Sequence, residues 1–185
     1  PAFRPGAEEP GRCIRAVSTS FALRLMLFLA ASAFLVGVSR RSLRNPRSHG
    51  FHRFFAFEGI LLLLLANGPY WFHDPLAFPQ VLSPPLVMAS LYLVLRSVVL
   101  LKAHGGRRNR AAPPENLPFE NTARLVTTGL YGTIRHPMYL SLLLLAWGLY
   151  LKGVTPLTTG VVLLATVFLM AAVRAEEREN IAFFG

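Results

Sequence analysis

Long apolar runs separated by short polar interruptions set the pattern of this chain. Ser18 to Val38 is apolar apart from Arg24 and a few hydroxyls, and its 21 residues are enough to cross a hydrocarbon core of about 30 Å. Phe54 to Phe72 forms a second run, with Glu58 near one end and Asn67–Gly68–Pro69–Tyr70–Trp71 at the other. Tyr and Trp in that position fit an interfacial aromatic belt. A third run extends from about Val81 to Leu101, with Pro84 and Pro85 near its start. Pro137 to Leu151 and Val154 to Val173 supply two more, joined by a turn at Lys152–Gly153. The pattern predicts an all-α, polytopic membrane protein with about five transmembrane helices, the last two forming a helical hairpin. A four-span variant makes the proline-bearing third stretch re-entrant. Residues 1–17 read as an irregular polar tail, and 18–185 as one membrane-embedded domain.

Composition agrees with a lipid environment. Hydrophobic residues make up 53%, charged residues 15%, and the mean hydropathy is +0.45. The net charge of +10 is spread over loops between apolar runs rather than along one polar face, which favours membrane-flanking loops over nucleic-acid binding. One side of a five-span arrangement receives Arg40, Arg41, Arg44, Arg47 and Arg53, the long loop from Lys102 to Arg135, and Arg174 and Arg178. The other receives Arg4, Arg12, Arg15 and Lys152. The richer side is expected to be cytoplasmic. Cys13 is the only cysteine, which leaves no intramolecular disulfide and no thiolate metal cluster. His49, His52, His73 and His104 lack ligand spacing and fall on both sides, so no metal site is expected. Glu58 is expected to pair with a loop arginine.

The candidate chemistry lies in Gly129 to Tyr139, GLYGTIRHPMY. Pro137 suits the first turn of a helix and pushes His136 out of the helical region. His136 then stands at a helix mouth whose first N–H groups lack intrahelical partners and attract anions, with Arg135 beside it. Arg, His and Tyr also gather at span ends as interface anchors, but an anchor does not require this order around a proline. Glu176 and Glu177 follow the last apolar run, and a hairpin brings them to the same face. Carboxylates opposite a cationic helix mouth suit a zwitterionic ligand, and S-adenosylmethionine is such a molecule. No GxGxxG loop occurs, which excludes a Rossmann-type methyltransferase.

Gly129–Leu130–Tyr131, Arg135–His136–Pro137–Met138–Tyr139, Glu176–Glu177 and the closing FFG together resemble the isoprenylcysteine carboxyl methyltransferase and phospholipid methyltransferase family of integral membrane enzymes. The likeness covers roughly the last third of the chain and the Asn121–Gly129 approach. It implies S-adenosylmethionine bound at the cytoplasmic ends of the last spans. On that resemblance His136, Pro137 and Tyr139 belong to the cofactor element, Glu176 and Glu177 to the acidic pair of the pocket, and Tyr131 to its wall. Arg135 and Tyr139 are the expected catalytic residues, with Arg135 orienting an acceptor carboxylate or neutralising charge near the transferred methyl. The implied acceptor is lipidic or prenylated, with isoprenylcysteine carboxyl O-methylation favoured. Two departures stand out: Ser141 replaces a common glycine, and the family continues past FG with aromatic and basic residues, which implies a C-terminal truncation at Gly185.

Two other readings keep the same spans. A sterol-reductase-like enzyme would use NADPH, and its thermal shift with NADPH but not S-adenosylmethionine would distinguish it. A non-enzymatic protein would respond to neither and would tolerate substitution at Glu176 and Glu177.

Overall fold

A computed structural model describes residues 10–72, 74–104 and 126–184 of the chain. The architecture is all-helical, with no strand among the described residues. The helices are α1 (Pro10–Ser39), α2 (His49–Asn67), α3 (Phe78–His104), α4 (Leu130–Thr133), α5 (Pro137–Tyr150) and α6 (Pro156–Phe184). Short 3₁₀ turns at Ser42–Arg44 and Gly68–Tyr70 adjoin α2.

Four helices are long and apolar enough to cross a membrane, namely the segments Ser20–Ser39, His49–Tyr70, Phe78–His104 and Pro156–Ile181. The expected fourth span, α5, has only 14 residues and rises about 21 Å, short of a core of about 30 Å. The re-entrant variant is overturned, because α3 runs as one helix through Pro84 and Pro85. Helix α1 begins at Pro10, so the last part of the expected tail is helical, and residues 1–9 lie outside the described residues. Helix α6 continues beyond Val173 through the charged stretch to Phe184, since Ala, Glu and Arg are strong helix formers. His73, most of the long basic loop (residues 105–125, with Asn121–Arg124) and Gly185 also fall outside the described residues.

Helix α2 packs against both α5 and α6, and the core follows from that placement. Ile60 and Leu63 of α2 pack with Ala146 and Leu149 of α5 and Val162 of α6. Nearer the basic end, Ala56 packs with Tyr139, Leu169 and Ala172. Small residues bring α2 and α6 close: a Cβ added at Gly59 would sit 3.2 Å from that of Ala165, as expected where packing rather than water drives helix association. Helix α1 presents Phe21, Met26 and Phe34, all more than three-fifths exposed, at 64%, 67% and 69%, as a lipid-facing helix should. One polar tie to the bundle is Ser32, whose hydroxyl donates to Glu58 at 2.5 Å. This corrects the expected pairing of Glu58 with a loop arginine. Helix α2 starts at His49, which carries Glu58 into mid-helix, beyond reach of the loop.

The expected hairpin of α5 and α6 is present. Tyr150 OH meets Thr159 Oγ1 at 3.0 Å, Trp147 Nε1 donates to Thr166 Oγ1 at 3.2 Å, and His136 reaches Glu177 at 3.3 Å. Each step back along α5 is matched by a step forward along α6, which is the signature of antiparallel neighbours.

Candidate active site

The approach to α5 depends on local backbone chemistry. Gly129 adopts φ +63°, in the region that side-chain-bearing residues avoid, and turns the chain into the single-turn helix α4. Pro137 occupies the first turn of α5, and His136 before it is non-helical at φ −128°, ψ 66°, as its position ahead of a proline predicts. The first α5 hydrogen bond runs from Leu140 N–H to His136 C=O at 3.0 Å. No side chain caps the helix, so the positive end of α5 is open toward the acids of α6.

All seven sequence-predicted site residues lie at this end of the bundle. The His136 ring straddles both glutamates, with Nε2 at 3.3 Å from Glu177 Oε1 and Nδ1 at 4.0 Å from Glu176 Oε1. Arg135 reaches Glu177 Oε1 at 3.5 Å from a side chain that is 88% exposed. Tyr139 is buried, and its ring stands edge-on to that of His136 with centroids 6.0 Å apart. It faces the Ala56–Leu169–Ala172 cluster, so it braces the histidine from the core side. Pro137 is buried beneath them. Ser141 is also buried and satisfies its hydroxyl on Met138 C=O at 2.6 Å, which lets it occupy a packed face without an orphaned donor.

Tyr131 of α4 closes the site from a third direction. Burial, the largest cause, and the nearby Glu176 charge push its phenol up to about 12, against the lowering effect of a hydrogen bond with Ser97 of α3. Tyr131 therefore stays protonated at neutral pH and can act as a donor. Ser97 is fully buried and anchors itself by donating to Leu93 C=O at 2.6 Å.

Sequence reasoning missed Ser97 and Glu179. Glu179 accepts from the His49 backbone N–H at 3.2 Å and approaches His49 Nδ1 at 2.7 Å, clasping the start of α2 to the end of α6. A carboxylate at a helix N-terminus is favourable on dipole grounds, but no spacing rule marks one glutamate of a charged run for a histidine 130 positions away. Among the described residues no group of three or more His, Cys, Asp or Glu could hold a metal ion.

The helices and this site define a polytopic membrane protein in which a cationic helix mouth faces an acid pair. Residues 113–182 match the family model described as phospholipid methyltransferase, so the resemblance carried by the RHPMY and EE elements is shown over that stretch. The match supports a membrane methyltransferase. No curated protein and no solved structure matches the chain.

Proposed function

We propose that the protein transfers a methyl group from S-adenosylmethionine to a lipidic or prenylated acceptor, a carboxylate of an isoprenylcysteine-like molecule being favoured, at the cytoplasmic membrane face. The observation that carries this reading is the meeting of the uncapped α5 N-terminus, His136 and Arg135 with Glu176 and Glu177. The fit to the cofactor is chemical: an open helix mouth suits its carboxylate, and a pair of carboxylates suits its ammonium or ribose hydroxyls. When bound, S-adenosylmethionine supplies a sulfonium-activated methyl, whose bond to sulfur breaks as a bond to the acceptor oxygen, sulfur or nitrogen forms and a neutral thioether leaves.

The chain's own residues orient and enclose. Glu177 exchanges its present contacts with His136 and Arg135 for the ligand amine, which frees Arg135 to orient an acceptor carboxylate. Tyr131, protonated and wedged against Ser97, holds the wall beside Glu176. Tyr139 keeps the His136 ring from retreating into the core. Such alignment in a water-poor setting is the main contribution a protein makes to a displacement of this kind.

Equilibrium binding of labelled S-adenosylmethionine to the detergent-solubilised protein tests this reading, with His136→Ala and Glu177→Ala as comparisons. The parent should bind and each variant should lose at least about tenfold in affinity, the loss of one charge-assisted contact. No binding by the parent, or equal binding by all three, removes the proposal.

A further inference from the structure

A second polar feature lies at the same end of the bundle, across α6 from the acid pair. A cavity of about 570 Å³ is lined by Pro46 and Arg47 of the first loop, His52 of α2, and Ala171, Arg174, Ala175, Arg178 and Glu179 of α6. At 100° per residue, Ala171, Arg174, Ala175 and Arg178 share an arc of about 100°, centred about 160° from the midpoint of Glu176 and Glu177. The two features are separated by the helix itself.

Charge distinguishes the cavity. Glu179 is engaged by the backbone N–H and ring of His49. The side chains of Arg47, Arg174 and Arg178 make no ion pair or hydrogen bond among the described residues, and all three are exposed. Three unpaired guanidinium groups around one concavity repel each other until an anion joins them, and their planar forks match phosphate oxygens. Ala171 and Ala175 leave the floor open and apolar. The cavity also lies where α6 leaves its apolar run, since Arg174 follows Val173 directly and Arg178 lies about one turn further on. Basic pockets between membrane helices at the boundary of the bilayer select anionic headgroups.

We infer that this cavity holds the phosphate of an anionic membrane lipid, with its glycerol and first methylenes over Ala171 and Ala175. The lipid is a resident ligand and not the methyl acceptor, because α6 stands between it and the helix mouth. The inference does not depend on the methyl donor.

The test uses the whole chain in neutral detergent, with phosphatidylglycerol, phosphatidylcholine or inorganic phosphate added. Thermal midpoints and lipid adducts in native mass spectrometry are recorded. Phosphatidylglycerol at about 100-fold over its Kd should raise the midpoint by about 5 °C or more and leave a one-to-one adduct. Arg174→Gln/Arg178→Gln should lose both responses, and Arg47→Gln should weaken them, which covers the case in which the double variant fails to fold. Arg40→Gln, in the same loop but outside the cavity, should behave as the parent. An equal response to phosphatidylcholine, an equal response to inorganic phosphate, or undiminished adducts in the arginine variants would overturn the assignment.

Discussion

The two ends of the helical bundle are built on different chemistry. At the end away from the site, neutral side chains are tied to main-chain carbonyls. Asn67 Nδ2 donates to Leu149 C=O at 2.7 Å, Ser83 Oγ to Gly148 C=O at 2.7 Å, and Gln80 Nε2 to Lys152 C=O at 2.8 Å. Asn67 and Ser83 are almost fully buried, at 1% and 0% exposed. Thr155 and Thr158 exchange bonds that start α6. At the other end, His136, Arg135 and the glutamates meet at 3.3 to 4.0 Å with partly open side chains. Short buried bonds to carbonyls hold one geometry, because breaking one orphans a polar group. Longer, half-solvated ionic contacts hold geometry weakly and can change partners. One end fastens α2 and α3 to the end of α5, and at the other the acid pair remains free to meet a ligand.

This contrast predicts a graded series. Asn67→Ala should have the largest effect on stability, about 2 kcal/mol or more, because it leaves two carbonyls and a cavity behind. Thermal unfolding in detergent would read it, and a loss no larger than that of a surface variant would break the contrast. Glu177→Ala should lower stability by less than about 1 kcal/mol in the same assay, even though it is expected to impair ligand binding. A large loss would mean that the ionic end is structural after all. The last effect, confined to high pH, belongs to Tyr131. Its phenol is raised in the folded state from 10.0 to about 12, so its contribution is fully present below pH 10 and is lost as pH rises through about 12. Between those values the parent's thermal midpoint should fall more steeply than that of Tyr131→Phe, and parallel slopes would contradict the assignment.

Much of the frame was legible in the sequence because lipid imposes simple rules. Apolar length located α1, α2, α3 and α6, and the Pro137 rule located both the start of α5 and the non-helical His136. Antiparallel pairing then required Glu176 and Glu177 to face that start. What escaped depended on rotation about helix axes. Periodicity in an almost uniformly apolar helix does not say which side carries Glu58 toward Ser32 rather than toward a loop. Nor does it show that Ser97 of α3 would meet Tyr131, or that Glu179 would turn to His49 while its neighbours turn to His136. The span count stayed approximate for a related reason, since the apolar run of 15 residues from Pro137 to Leu151 is short for a span when counted alone.

The Glu179–His49 clasp gives the charged end of α6 a property it would not have alone. A helix emerging from lipid into water tends to fray, since its last turns have few neighbours. Pinned to the first turn of α2, this one works as a splint, with successive acids turned toward different partners and the azimuth of the shaft set from outside the site. The acid pair thus takes its orientation from a fastening that stands apart from the helix mouth.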